Sequence, residues 1–217
     1  MQSLGLPEVA FLLRGLQWTV FLTVIGFAGG IVFGLVIALL RTAKSPFLRY
    51  PALAYISVFQ GTPLLMQLFL VYFGLPLAGV TVSPWLAVAI ALTAHASAFL
   101  GEIWRGAIQA VPWGQSEASH ALGLSYRTRM REIILPQALR LSLPATIGFL
   151  VQLLKGTSLA AIVGFIELTR AGQIVSNQIY QPVLVFTLVG AIYFALCWPL
   201  SLWGGRMERR LARSTSR

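Results

Sequence analysis

Between Arg14 and Arg41 the chain carries no charged residue, and none occurs from Tyr50 to Gly101. A membrane-crossing helix needs ~20 predominantly apolar residues, rising about 1.5 Å each. The first run is long enough for one crossing. The second is too long for one and is punctuated by Gly74, Pro76, Gly79 and Pro84, so it splits into two. Two further apolar runs follow, one carrying Lys155 within it. The pattern predicts an all-α polytopic membrane protein, one transmembrane domain over 1–217. Its five spans fall near 16–40, 51–73, 84–105, 141–166 and 183–203.

Composition agrees. Of the 217 residues 57% are hydrophobic and 10% charged, with a mean hydropathy of +0.79. A soluble domain carries about 25% charged residues. The chain has no Asp, six Glu and sixteen basic residues, for a net charge of +10. Such a charge can signal nucleic-acid binding, but here the basic residues cluster between apolar spans, which points to topology and not to nucleic acid. Arg41, Lys44 and Arg49 follow the first span. Arg105, Arg127, Arg129, Arg131 and Arg140 lie around the loop after the third. Arg206, Arg209, Arg210, Arg213 and Arg217 form the tail. The positive-inside rule puts all of these in the cytoplasm and the N-terminus outside. Cys197 stands alone, and with two His and no Asp a metal site is poorly supplied, so no metal is expected. The first apolar stretch is too long for a cleaved signal peptide and precedes its charge cluster.

One polar island interrupts the apolar pattern. It reads Glu117-Ala118-Ser119-His120-Ala121-Leu122-Gly123, then Tyr126, Arg127, Arg129, Arg131 and Glu132, and closes with Ile133-Ile134-Leu135-Pro136. A segment this charged cannot sit in lipid and must lie at the membrane surface. Pro112 suits the start of a short helix and Gly123 its end. Glu117, Ala118, Ala121 and Leu122 recur at helical spacing, and the small side chains leave a thin face that a groove can take up.

The Glu-Ala-x-x-Ala-Leu-Gly run with Ile-Leu-Pro after it resembles the EAA loop of importer permeases of the ATP-binding-cassette (ABC) type. Gly61-Thr62-Pro63-Leu64-Leu65-Met66-Gln67, Tyr72-Phe73-Gly74-Leu75-Pro76, Gly101-Glu102-Ile103-Trp104-Arg105-Gly106, Pro136-Gln137-Ala138 and Leu154-Lys155-Gly156-Thr157-Ser158-Leu159 are similar to segments of polar-amino-acid permeases in that family. The resemblance covers nearly the whole chain. It implies the type I importer permease fold in a bacterial cytoplasmic (inner) membrane. It implies a second permease subunit, identical or not, an extracytoplasmic solute-binding protein and a cytoplasmic ATPase. Transport is then by alternating access. The loop at 112–136 becomes the coupling element, with Glu117, Ala118, Ser119, Ala121, Leu122 and Gly123 facing the ATPase. No G-x-x-x-x-G-K-[ST] occurs. ATP and magnesium are therefore expected on the partner, with no cofactor and no catalysis in this chain. Four positions depart from the family pattern. Gln60 stands where Arg is usual, Ser119 where a third Ala is usual, and His95 where a small polar residue is usual. Gly156 stands where Asp, a contact for a substrate ammonium, is usual.

Polar groups inside spans face protein or a water-filled cavity. The pathway candidates are Thr62, Gln67, His95, Ser97, Gln152, Lys155, Thr157 and Ser158, with Ser and Thr also able to bond back to their own helix. For Lys155 three readings stand: a substrate carboxylate, snorkelling, or pairing with Glu102. Glu102 and Arg105 are three apart and suited to pair. The stretch 167–181 reads either as a surface for the binding protein or as a solvated connector. The competing function class is a secondary transporter or channel for small polar solutes. Such proteins usually show internal repeats or relay acids, and the spans here show no clear repeat and only Glu102.

Overall fold

The computed structural model describes residues 4–43 and 45–215, with side chains as far as Leu211. All regular elements among them are helical. They are α1 (Leu6–Thr42), α2 (Pro46–Gly61), α3 (Leu64–Leu77), α4 (Pro84–Ala110), α5 (Trp113–Ala121), α6 (Tyr126–Val163), α7 (Leu168–Ile179) and α8 (Pro182–Thr215). Four of them are long and apolar enough to cross a membrane, and α2 with α3 makes a fifth crossing if the bent pair counts as one. Lys44, Arg217 and the Arg213 side chain, used above to orient the chain, lie outside the described residues.

The α1 helix is 37 residues long, roughly 55 Å, so it outruns the ~30 Å hydrocarbon layer. Its buried side is a stripe of small residues: Gly15, Thr19, Thr23, Gly26, Gly30, Gly34 and Ala38. That stripe lets the backbones of α1 and α4 approach closely, which is how helices associate where lipid competes equally for apolar contact. A Cβ added at Gly30 would stand 2.5 Å from Ala96 Cβ, and one at Gly26 would stand 2.9 Å from Leu92 Cβ. Around this contact Leu22, Leu68, Leu92, Leu100, Phe149 and Leu153 form the main core, drawn from α1, α3, α4 and α6.

The expected second span at 51–73 is not one straight helix. The chain turns by 107° between α2 and α3. Pro63 disfavours a helical conformation in the residue before it, and Thr62 is extended at φ −117°, ψ 142°. The helix that carries the fourth span begins earlier than 141. The α6 helix starts in the polar island and runs through Pro136. There Arg129–Ile134 form a π turn, followed by regular helix and then a 3₁₀ turn over Thr157–Val163. A second π turn, Leu70–Gly74, precedes Pro76. In both places a proline removes the bond to the carbonyl four residues back, and the helix widens by a residue instead of stopping.

The α7 helix is not a solvated connector. Leu168, Ala171, Val175 and Ile179 pack with Leu12 of α1 and with Val185 and Val189 of α8.

Candidate coupling surface and pathway

At the surface end of α4, Pro112 caps α5. Its far end closes with Gly123 at φ +72°. The Gly123 N–H donates to His120 O at 2.9 Å and the Leu124 N–H donates to Ser119 O at 3.1 Å. This paired bond pattern is the Schellman cap, which needs a left-handed residue at its turn. Ser119 is buried and its hydroxyl donates to Ser116 O at 2.8 Å. Ser119 therefore faces the bundle and is not available to a partner, against the expectation for that residue. At 3.6 residues per turn Glu117 and Ala121 lie opposite it. Glu117, Ala118, Ala121, Leu122 and Gly123 are all exposed. The indole of Trp113 donates to Glu117 Oε1 at 2.8 Å and fixes the carboxylate outward. Beneath this loop Ala107 of α4 and Val111, just past its end, pack with Ile134 and Ala138 of α6. The α5 helix follows α4 through Val111 and Pro112 and packs on the Arg129–Ile134 turn of α6, so a push on it reaches both helices.

The structure divides the eight pathway candidates. Gln67, His95, Ser97 and Thr157 are buried and committed to the chain itself, and of the four only Ser97 borders open space, the apolar groove between α1, α2 and α4. The Gln67 amide closes the α2–α3 bend. Its Nε2 donates to Phe59 O at 2.8 Å, and to Thr62 O and Thr62 Oγ1 at 3.0 Å each. Its Oε1 accepts from His95 Nδ1 at 3.0 Å, which places a proton on Nδ1 because an amide oxygen can only accept. His95 packs its face against Phe99 and Phe149. Ser97 pairs with the hydroxyl of Tyr55 at 2.8 Å, and Thr157 bonds back to Leu154 O at 2.7 Å. Ser158 bonds back to Lys155 O at 2.7 Å and stays half-buried.

Thr62, Gln152 and Lys155 are exposed. On α6, Ala145, Gly148, Gln152 and Lys155 fall three and four apart and are all exposed, while Ile147, Val151, Leu153 and Leu154 are buried. Small and polar side chains on this face contrast with the Val, Ile and Phe that other spans turn outward. Lys155 does not pair with Glu102. That carboxylate accepts from Arg105 Nε at 2.8 Å and stands 3.9 Å from Arg41 Nε. At Gly156 an added Cβ would stand 2.9 Å from Leu64 Cδ2, so an acid there would require the Leu64 side chain to move aside.

Glu167 was read only as part of a polar stretch, yet it is fully buried. It caps α7, its Oε2 accepting from Thr169 N–H at 2.8 Å and its Oε1 from Arg170 N–H at 2.9 Å. Tyr193 Oη of α8 donates to Oε2 at 2.9 Å and Thr19 Oγ1 of α1 at 3.4 Å. Burial pushes this carboxyl up from its ordinary range, and the backbone and hydroxyl donors pull against that. The signal in the sequence is an acid just ahead of an amphipathic run, at the place of a helix cap.

A family model described as "Binding-protein-dependent transport system inner membrane component" matches residues 30–213. The chain is 35% identical to the Bacillus subtilis protein named "Probable amino-acid ABC transporter permease protein YckA", over 97% of this chain and 93% of that one. It is 34% identical to "Glutamine transport system permease protein GlnP" of Escherichia coli, over 94% of each. A solved structure described as "an amino acid ABC transporter with histidines" aligns with a TM-score of 0.88 at 35% identity, over 93% of this chain and 94% of that one.

Proposed function

The chain belongs to the family of binding-protein-dependent transport system inner membrane components, and from that premise we propose that it is the permease subunit of an ATP-driven importer for polar amino acids. It works in a bacterial inner membrane, with its N-terminus outside and α5 in the cytoplasm. It carries no catalysis of its own. A cytoplasmic ATPase holds ATP and magnesium and docks on α5, a second permease subunit completes the pathway, and an extracytoplasmic solute-binding protein delivers the substrate. The observation that carries this reading is α5 itself. It is a short helix with Glu117, Ala118 and Ala121 bared, locked by the Gly123 cap, joined to the end of α4 and packed on the start of α6. Closure of two ATPases moves α5, and α4 and α6 follow it as levers.

The α6 face of Gln152 and Lys155 supports a pathway wall shared with the second subunit. A charged residue in a span needs a partner or water, and Lys155 has no acid partner among the described ion pairs. An amino-acid carboxylate passing that face fits it. A secondary carrier or channel is not favoured, because the relatives are named as ABC permeases. The test is uptake of a labelled amino-acid panel into proteoliposomes holding the chain and its co-purifying partners, with binding protein outside and ATP inside. ATP-dependent uptake of a polar amino acid is expected. Uptake that persists without ATP, or a chain that purifies with no ATPase, overturns the reading.

A further inference from the structure

A groove of about 640 Å³ opens on the outer side of the bundle between α1, α2 and α4. Val36 and Leu40, Pro51 and Tyr55, and Ile90 and Ser97 are among its walls. Of its polar side chains, Tyr55 and Ser97 are turned to each other and to Ala94 O and Thr93 is half-buried, so the exposed lining is almost wholly apolar. Its two ends differ in charge. Since Gly26 meets Leu92 and Gly34 meets Leu100, α1 and α4 run parallel. Leu40 and Ser97 therefore mark the same end, and Arg41 follows Leu40 directly. At this end Arg41 Nε is buried with no hydrogen-bond partner and stands 3.9 Å from Glu102, so two guanidiniums share one carboxylate. The nearby Glu102 carboxylate is held by Arg105. Arg49, two residues before Pro51, is exposed, has no acid partner among the described residues, and rests its guanidinium 5.5 Å from the Tyr50 ring centroid. Phe47 and Tyr50 are also exposed here, as side chains at a headgroup interface are.

We propose that this groove seats an acyl chain of an anionic phospholipid whose headgroup phosphate is held at the Arg41–Arg49 end. The apolar walls match the chain, and the surplus of positive charge matches the headgroup. Basic pockets between spans on the cytoplasmic side bind anionic headgroups for the same reason. A second copy of the protein is a poorer occupant. Patch-to-patch pairing is self-complementary, and the acid at this end, Glu102, is already taken. The inference rests on the chain being embedded in lipid and not on what it transports.

The test is native mass spectrometry of the purified transporter complex after equilibration with equal amounts of phosphatidylglycerol and phosphatidylcholine of matched chains. Phosphatidylglycerol is expected to be retained over phosphatidylcholine. Arg49→Gln is expected to cut that preference roughly fivefold, the effect of one basic residue near an anionic surface. Ile90→Trp, at a half-exposed groove position, is expected to expel both lipids without lowering the melting temperature. Equal retention of the two lipids by the wild type overturns the proposal, as does unchanged retention in Ile90→Trp. So does disulfide formation between two copies of Ile90→Cys in a Cys197→Ser background, which would make the groove a subunit interface. Lipid retention is scored without transport, so its failure and a failure of ATP-driven uptake are read separately.

Discussion

Gly123 and Gln67 each do one geometric task that the neighbouring residue types cannot. Gly123 sits at φ +72° with nothing within 4 Å of an added Cβ, so its constraint is conformational and not steric crowding. A β-branched residue in that region is a true outlier, costing on the order of 1–2 kcal/mol, whereas Asn visits it readily. Gly123→Val is therefore expected to insert at normal levels but to lose most ATP-driven uptake, with Gly123→Asn retaining it. Equal uptake by the two variants would show that the α5 cap is not what coupling depends on. Gln67 supplies the donors for the carbonyls freed at the α2–α3 bend. Gln67→Leu leaves those carbonyls and His95 Nδ1 unpaired, and one unsatisfied buried group costs roughly 1–3 kcal/mol. Its melting temperature in detergent is expected to fall well below that of His95→Phe, which keeps the stack on Phe99 and Phe149 and loses one bond. The reverse order would place the bend's stability in the aromatic stack.

Three Pro-containing junctions show what a helix boundary depends on. Leu75-Pro76 and Leu135-Pro136 leave the residue before proline helical, near φ −61°, ψ −41° and φ −62°, ψ −41°, and the helix passes with a π turn. Thr62-Pro63 leaves it extended, and the helix breaks. All three look alike in sequence. The difference lies in where the freed carbonyls find donors, and at Thr62 the donor is a side chain on the next helix. Local reading therefore places the apolar runs but not the break at 62–63 or the passage through 136. The α7 helix makes the same point. Its polar residues read equally as a surface for the binding protein or as a solvated connector, and neither reading holds the tie that Glu167 makes at once to α1 through Thr19 and to α8 through Tyr193. Glu167→Ala removes the cap for two N–H groups and the acceptor for two hydroxyls. A lost cap alone costs about 0.5–2 kcal/mol. Glu167→Ala is expected to lower the melting temperature in detergent and Glu167→Gln to lower it less, since the amide oxygen still accepts. Indistinguishable melting of Glu167→Ala and wild type would mean that packing of Leu168, Val175 and Ile179 alone holds α7.

Across the whole molecule, the spacing of charge makes the class of fold legible, because a run without charge has few places to be. The candidate site is legible only in part. Glu117, Ala121 and Gly123 stand on a short surface helix whose two ends the sequence marks. In the spans, a buried polar residue and a pathway residue carry the same signal. Gln67 and His95 bond each other across two helices, while Gln152 and Lys155 face outward, and only the packing separates them. Orientation is the property of the whole chain that these observations leave to experiment, and it follows from charge. Among the described residues Arg41, Arg49, Arg105, Arg127, Arg129 and Arg131 all fall at the α5 end, and Tyr180, 85% exposed, falls at the opposite one, between α7 and α8. Short basic segments resist translocation. In a Cys197→Ser background, Tyr180→Cys is therefore expected to react with a membrane-impermeant maleimide in intact spheroplasts. Trp113→Cys, at an exposed site on α5, is expected to react only after permeabilisation. The opposite pattern would put α5 outside, beyond reach of any cytoplasmic ATPase, and the proposed coupling would fall with it.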